Sequence, residues 1–576
     1  MPSPMPQTRP PRIAHKRSRA ALLLATFALA SCREPHDPAT LYPPGPGGTP
    51  RGGGHAIFVR EEDPDFVDPG LSYGTYSAPV TEALFRGLVG YADATGAAGA
   101  RIVPELAASL PDVREGGTLY AFAIRPDARF GKPLHRHITA TDFKYAFERQ
   151  FRLAGSGCGF YLNVVGVRDM LAGRDTSVAG VIARGDSIYY RLVKPDPIFL
   201  DLLAFPFTAP VPRDVDTAWP NAYSQHAVAT GPFEIAEFTP RRRLLLVRNP
   251  DYCGMPALLD TFEMRLGITT TNAVLLIRRG LVDGGMFTVP AAEYARLHQD
   301  PYWKHQLDVS DGLDTEYLYM NVRVKPFDDV RVRQAVCWAV DRRALLKVYS
   351  GHGIVAGEFL PTGMPGAKPL GRFQGPDVAR AKQLLREAGY PHGVHVKLYG
   401  MTTEPQPREL ALVQQQLAEA GIVADLDLGE AVGYSQMAGD TANRVGFGRF
   451  AWTADYVDPS NFFDVLMNGR RIQATSNLNL SMLDDPGVNA AIEQAMAASD
   501  DSTRARLWHA LDERVTDLAP VAPLLHLYES RLYAPRLGGW YRHITQILKI
   551  DRLYLKASPP QGPQRVADAR TAERAP

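Results

Sequence analysis

The stretch Phe447-Gly-Arg-Phe-Ala-Trp-Thr-Ala-Asp-Tyr-Val-Asp-Pro-Ser-Asn-Phe462 decides how the rest of the chain is interpreted. Its first half is an apolar and aromatic run that predicts a strand, and this run carries one cation, Arg449. An acidic turn with Asp455 follows, and Pro459 ends any strand and suits the start of a helix. A cation and an anion on either side of a tryptophan suit a ligand charged at both ends. The alternative is a core strand with a salt bridge at its end.

Length and composition describe an ordinary globular protein of more than one domain. The 576 residues exceed what one core holds, so two or three domains are expected. A hydrophobic content of 45% allows a sizeable core. The net charge is only +1 and the Lys and Arg residues are scattered, which argues against a nucleic-acid partner.

Residues 1–32 have the pattern of an export signal. A basic segment precedes the short apolar run from Ala20 to Ala28, which is too short to span a bilayer as a helix. Small residues directly before Cys32 resemble the lipobox of bacterial lipoproteins, in which the cysteine is acylated. We therefore expect a lipid-anchored protein on the periplasmic side or the extracellular face of a membrane. The alternative is an ordinary signal peptide with a chance cysteine.

Two further segments are predicted to lack a packed core. Residues 33–54 are rich in Pro and Gly and are typical of a flexible tether, and the composition of residues 558–576 predicts disorder. Three other cysteines, Cys158, Cys253 and Cys337, have no CxxC spacing. Their pairing stays open, and structural burial is the preferred interpretation for each.

The second half of the chain follows α/β logic. Residues 395–399 and 422–428 alternate as strands, and residues 407–420 between them have one apolar helical face. This spacing predicts a parallel pair of strands joined by a right-handed crossover. Ligands of open α/β sheets bind beyond the carboxyl ends of strands, and the strand before Asp455 places this carboxylate at such an end.

A series of short motifs recurs in a fixed order along residues 55–550. They include Pro104-Glu-Leu-Ala, Thr139-Ala-Thr-Asp-Phe, Thr230-Gly-Pro-Phe, Arg248-Asn-Pro-Asp-Tyr, Pro326-Phe-Asp-Asp-Val-Arg and Trp452-Thr-Ala-Asp-Tyr. Together they resemble the extracellular solute-binding proteins of oligopeptide and dipeptide ABC transporters, solute-binding protein family 5. The chain departs from that pattern at Leu134-His-Arg-His137 and at Cys253, away from the expected ligand contacts.

The resemblance implies a fold and its boundaries. The fold is α/β, the two-lobed periplasmic-binding-protein fold of class II type, with an extra subdomain inserted in the first lobe. Lobe 1 is expected over residues 55–265, with the subdomain at about 75–195. Lobe 2 is expected over residues 266–525, and residues 526–557 return to lobe 1. The chain is expected to cross between the lobes near residues 263–269 and 523–530.

The resemblance also implies a function and its residues. The protein is expected to bind a peptide between hinged lobes and deliver it to an ABC-type permease, as a monomer without catalytic residues, cofactor or metal. Asp455 is expected to bind the peptide's α-ammonium, and Arg449 to contribute to recognition of its carboxylate. Ala451 and Thr453 are expected to pair with the peptide backbone, and the ligand contacts are completed by Trp452 and Tyr456.

Two other functions stay open from the sequence. The same fold binds other solutes, such as oligosaccharides, opines or metal chelates, although Asp455 and Arg449 favour a zwitterion. A secreted hydrolase is the alternative from another class, but the sequence contains no HExxH or GxSxG motif that would mark one.

Overall fold

The computed structural model describes residues 45–74, 77–220, 222–373, 375–498, 500–541 and 543–557. Cys32, the predicted signal peptide, most of the predicted tether and the predicted disordered tail lie outside these residues. Among the helices within these ranges, none combines the length and apolarity that crossing a bilayer requires.

The described residues form strands in the following chain order: β1 Pro50–Arg51, β2 His55–Val59, β3 Val89–Tyr91, β4 Ile102–Pro104, β5 Asp112–Arg114, β6 Leu119–Ala123, β7 Val181–Arg184, β8 Ser187–Arg191, β9 Phe233–Thr239, β10 Arg243–Arg248, β11 Thr261–Arg265, β12 Gly284–Gly285, β13 Leu307–Asp311, β14 Asp314–Met320, β15 Gly353–Val355, β16 Val394–Met401, β17 Ile422–Gly429, β18 Phe447–Thr453, β19 Val521–Leu532, β20 Leu537–Gly538 and β21 Tyr554–Lys556.

The α-helices of the described residues, again in chain order, are α1 Ala78–Leu84, α2 Ala140–Arg152, α3 Val167–Leu171, α4 Phe199–Leu203, α5 Arg213–Ala218, α6 Tyr223–His226, α7 Thr270–Arg278, α8 Ala291–Gln299, α9 Val330–Ala339, α10 Arg342–Val348, α11 Val378–Glu387, α12 Gln406–Glu419, α13 Ala431–Ala438, α14 Ser460–Leu466, α15 Pro486–Ala497 and α16 Asp501–Leu518.

Lobe 1 is built on a five-stranded sheet with the order β12-β2-β11-β10-β9. Strand β2 pairs in parallel with β11 on one side and β12 on the other. The chain between β2 and β9 holds the inserted subdomain. It contains the four-stranded sheet β5-β6-β8-β7 and a separate aromatic core that includes Phe122, Phe143 and Tyr190.

Lobe 2 is built on a seven-stranded sheet with the order β13-β19-β14-β18-β16-β17, and β15 pairs with β19. Side chains alternate strictly between its faces. Along β14, Leu318 and Met320 join the core beneath α9, α11 and α12, whereas Tyr317 and Tyr319 join the core beneath α14, α15 and α16. Strand β14 in the centre of the sheet is therefore buried on both faces, as expected where helices cover it.

The parallel pairing and the connecting helix predicted for lobe 2 are confirmed. Strands β16 and β17 pair in parallel over their whole length, and α12 connects them. The buried face of α12 includes Leu410, Val413 and Leu417, which are the residues whose spacing indicated a helix. Strand β18 lies on the other side of β16, also in parallel.

The sheet pairing places the first crossing between the lobes later in the chain than the sequence indicated. Because β12 pairs with β2, the chain is still in lobe 1 at Gly285, beyond the expected crossing at 263–269. Strand β19 pairs with β14 of lobe 2 in its first half, and Leu532 at its end packs with Val59 of β2 in lobe 1, so the expected return at 523–530 stays a prediction. The inserted core also continues to Phe207, past the expected end of the subdomain near 195.

The edge of lobe 1 joins the two ends of the described chain. Strand β1 pairs antiparallel with β21, in a three-stranded sheet with β20. Residues 50 and 51, which the sequence assigned to the tether, are therefore part of the folded lobe. The cysteines Cys158, Cys253 and Cys337 all carry free thiols, and Cys337 is fully buried.

Candidate functional site

The acidic turn with Asp455 follows the carboxyl end of β18, which is an inner strand of the lobe 2 sheet. Strand β18 runs between antiparallel β14 and parallel β16, and it ends at Thr453. The register pairs Tyr399 of β16 with Gly448, and β16 ends two residues later at Met401. Strand β18 therefore extends past β16, so that Asp455 follows a strand end at the border of the sheet.

Asp455 is held by donors from both lobes. Its Oδ1 accepts a hydrogen bond from the hydroxyl of Tyr73 in lobe 1, at 2.6 Å. Its Oδ2 accepts one from Nδ2 of Asn461 at 3.2 Å, and its backbone N–H donates to Oδ1 of Asn461 at 3.0 Å. The indole of Trp452 donates to the same amide oxygen at 2.8 Å. We call Tyr73, Trp452, Asp455 and Asn461 the Asp455 site.

The carboxylate of Asp455 has no cation to compensate it within the described part of the chain. Burial raises its pKa, and the hydrogen bonds from Tyr73 and Asn461 oppose that shift. A desolvated carboxylate with only neutral donors gains most from a cation that arrives from outside. An ammonium group of a ligand has that charge and up to three N–H donors.

Tyr73 reaches Asp455 from the subdomain side of lobe 1. Its ring packs against Phe207 and Phe160, with centroid distances of 5.9 and 6.3 Å. Burial raises the pKa of the Tyr73 hydroxyl far above its usual range, and the Asp455 carboxylate raises it further. The hydroxyl is therefore a fixed donor across the two lobes.

Three predicted contact residues take different positions at the end of β18. Thr453 is exposed, and Ala451 and Trp452 are half-buried, and Trp452 lies on the opposite strand face from the other two. Tyr456 is only 4% exposed and packs in the core of the subdomain, with its hydroxyl 3.2 Å from Oγ of Ser460. Tyr456 thus joins lobe 2 to lobe 1 within this core.

Arg449 lies deeper in lobe 2, in a cluster that we call the Arg449 cluster, formed with Glu316, Tyr349 and Glu409. Its guanidinium forms ion pairs with Glu316 of β14 and with Glu409 of α12, the latter at 3.4 Å. The Tyr349 hydroxyl donates to Glu409 at 2.7 Å. Burial alone would lower the pKa of Arg449, but the two carboxylates raise it above its ordinary value. The alternative of a salt bridge in the core is thus realised, although not with Asp455.

The predicted contact of Arg449 with a ligand carboxylate stays a prediction, and these ion pairs argue against it. The sequence did not single out Tyr73, Asn461, Glu316 or Glu409. No local sequence pattern marks any of these four residues as part of a site. In the described residues, no group of three or more His, Cys, Asp or Glu side chains is arranged to hold a metal ion.

Residues 101–473 match the family model of bacterial extracellular solute-binding proteins, family 5. The chain belongs to this family. The match covers well over half of the sequence and confirms the resemblance inferred from the ordered motifs. It agrees with the observed α/β architecture, in which each of the two lobes is built on one large sheet.

Individual relatives of this solute-binding protein are distant but nearly full-length. It is 26% identical to the dipeptide-binding protein of Escherichia coli over 82% of this chain and 89% of that one. It is also 26% identical to heme-binding protein A of Haemophilus influenzae, over 83% of this chain and 87% of that one. These relatives are named as binding proteins, and their names differ in the ligand.

The most informative solved structure supports the fold over the whole described chain. The clavulanic acid biosynthesis oligopeptide binding protein 2 superimposes with a TM-score of 0.83 and 26% identity, covering 90% of this chain and all of that one. The unliganded open form of the murein tripeptide binding protein MppA superimposes with a TM-score of 0.73 at 23% identity, over 88% of this chain and 98% of that one, which shows the shared fold.

Proposed function

We propose that this solute-binding protein is the extracytoplasmic, lipid-anchored substrate-binding component of an ABC importer. It binds peptides between its lobes, anchors their α-ammonium group on Asp455, and has no catalytic activity of its own. The observation that carries this proposal is the Asp455 carboxylate, which is desolvated and held in place by neutral donors from both lobes.

The Asp455 site favours an amine over a neutral solute. A sugar site would use stacked aromatic rings and neutral hydrogen-bonding groups, whereas a buried carboxylate needs a positive partner. Trp452 serves either ligand, and its indole N–H is already used by Asn461. The similarity to a dipeptide-binding protein and to an oligopeptide-binding protein of known structure supports a peptide as the ligand. The similarity to a heme-binding protein makes another solute the alternative.

Thermal unfolding with a ligand panel tests the proposal. The panel contains peptides of two to five residues, each as the free amine and as the N-acetyl derivative, together with heme and oligosaccharides. A ligand at 100 times its Kd stabilises the folded state by about 2.7 kcal/mol, which a melting curve resolves. We expect free peptides to raise Tm and their acetylated forms to have little effect. Stabilisation by heme or a sugar alone would contradict the proposal, as would loss of intact peptide during incubation.

The anchor is tested by the Cys32→Ser variant, which keeps the size of the side chain but removes the acylation site. Acylation of one cysteine by several chains is enough for stable membrane attachment. We expect the parent in the membrane fraction and the variant in the soluble envelope fraction, with the same peptide affinity. Identical fractionation of the two proteins would refute the lipoprotein assignment.

A further inference from the structure

The Arg449 cluster already contains more negative than positive groups. One guanidinium faces two carboxylates, Glu316 and Glu409, and all three side chains are at least 91% buried. The Tyr349 hydroxyl closes the cluster by donating to Glu409 and lying 3.3 Å from Nη2 of Arg449. The charged groups nearest to the guanidinium are thus two carboxylates of the protein itself.

The strand face between the end of β18 and Arg449 also carries carboxylates. Along β18, Thr453, Ala451 and Arg449 lie on one face, opposite Asp314, Glu316 and Leu318 of β14. Arg449 lies four residues before the end of β18, which is about 13 Å along the strand. On this face Asp314 and Glu316 therefore lie between the strand end and the position of Arg449.

The side chain of Asp314 is fixed in position on this strand face. Its carboxylate accepts a hydrogen bond from the backbone N–H of Leu527 at 3.4 Å. A Cβ atom on Gly312 would come within 2.0 Å of Oδ1 of Asp314, so glycine at that position leaves the space that the carboxylate fills. Burial, together with the neighbouring Glu316, raises the pKa of Asp314. Burial also raises the pKa of Glu316 to about 7, and the neighbouring Glu409 adds to this shift while Arg449 opposes it.

We propose that Glu316 and Glu409 are specificity-determining residues that saturate Arg449 and make the site discriminate against a ligand carboxylate in the cleft. The ligands it selects are amines whose carboxyl group is blocked or remote from the cleft. This inference rests on the proposed function, because it assigns the charge preference at the end of the ligand that does not contact Asp455.

Isothermal titration of the parent protein with trialanine and trialanine amide tests the inference. We expect the amide to bind at least as tightly as the free acid, because a carboxylate finds no free cation at Arg449. A free acid that binds about tenfold tighter or more would overturn the inference. N-acetyl-trialanine amide reports separately on the ammonium contact. If the acetyl group leaves affinity unchanged, or if neither tripeptide binds, the proposed function fails and this inference falls with it.

Two variants identify the residues responsible. Glu316→Gln and Glu409→Gln keep the side-chain shape and each remove one partner of Arg449. We expect the ratio of acid to amide affinity to rise by about tenfold in either variant. The reason is that Arg449 then has one carboxylate partner fewer and can form a close charge pair with the carboxylate of the ligand. The control Asp425→Asn removes a carboxylate that is 62% exposed on edge strand β17 and pairs with His395, and it should leave the ratio unchanged. An unchanged ratio in a folded Glu316 or Glu409 variant would overturn the assignment. If neither variant folds, the comparison of acid and amide on the parent protein still decides.

Discussion

Asp455 keeps part of its hydrogen-bonding capacity for a ligand. An ionised carboxylate accepts about four hydrogen bonds, and two side-chain donors, Tyr73 and Asn461, take one site on each oxygen. The remaining sites have no protein cation within the ranges that the structure describes. Tyr73 and Asn461 thus fix the orientation of the carboxylate before a ligand arrives, which reduces the entropy lost on binding.

The Asp455→Asn variant tests this role at the level of one residue. The amide keeps the shape of the side chain but leaves a bound ammonium without its counter-charge. The loss is expected to be roughly 2–5 kcal/mol, on the order of 30- to several-thousand-fold in Kd. Titration calorimetry with free and N-acetylated peptide on both proteins measures it. The acetylated peptide should lose little affinity on the variant, because acetylation has already removed the charge that pairs with Asp455.

The matched control for this experiment is Asp458→Asn in the same turn. The Asp458 carboxylate already pairs with Arg504 at 2.8 Å and accepts from the backbone of Ser460. Its loss should lower Tm and leave the preference for free over acetylated peptide intact. Equal losses of both peptides on Asp455→Asn would show that Asp455 is only structural.

The sequence located Asp455 but not the residues around it. The Trp-x-Ala-Asp pattern and the strand before it are local signals, so the position of Asp455 at a strand end was predictable. Tyr73 lies 382 residues away from Asp455, in a turn-rich segment with no periodic pattern. The partners of Arg449 come from β14 and α12, and their meeting depends on strand order, which a single sequence does not state.

At the scale of elements, β18 depends on a glycine for its contact with α13. A Cβ atom on Gly448 would lie 2.5 Å from the Tyr434 hydroxyl and 2.6 Å from the Tyr319 hydroxyl. The Tyr434 hydroxyl donates to the carbonyl of Arg449 at 2.8 Å, so it is tied to the strand that leads to the Asp455 site. The helix and the strand therefore approach each other closely only because residue 448 has no side chain.

We expect Gly448→Ala to reduce the free energy of unfolding by roughly 1–3 kcal/mol, because both hydroxyls must shift in a packed core. Chemical denaturation of parent and variant measures the difference. Gly433→Ala is the control, since Gly433 lies in α13 with open space around the position of a Cβ atom. That change should be neutral or stabilise by up to about 1 kcal/mol. Equal destabilisation by both changes would refute the packing argument.

Elements with local signals were predictable, and the connections between lobes were not. The unit of β16, α12 and β17 followed from alternation and a helical apolar face, and its parallel pairing is confirmed. Strand β12 consists of two glycines, which have neither alternation nor strand propensity. Its pairing with β2 keeps the chain in lobe 1 past residue 265, and this could be known only from the assembled sheet.

At the scale of the molecule, the contact between Tyr73 and Asp455 predicts a change of shape on binding. Lobes joined by few crossings close around a ligand by hinge motion. A ligand ammonium that binds Asp455 beneath Tyr73 favours the closed arrangement, because it contacts groups of both lobes at once. Binding and closure should therefore be coupled.

Small-angle X-ray scattering measures this coupling. We expect the radius of gyration to fall when a saturating, stabilising peptide is added to the parent protein. The same peptide concentration should cause a smaller change in Asp455→Asn, because its weaker affinity leaves less of the variant occupied. A radius of gyration that is unchanged in the saturated parent would contradict closure of this chain around its ligand.

The pairing of β1 with β21 has a consequence for the design of fluorescent biosensors. Both strands belong to one sheet of lobe 1, so fluorophores attached beside them stay close together whether the lobes are open or closed. An energy-transfer signal between two such fluorophores would not change when a ligand binds. A useful sensor places one dye near β1 and the other on lobe 2, and Val423 of β17 is 51% exposed and offers a site for labelling. Only that arrangement measures a distance that changes when the hinge moves.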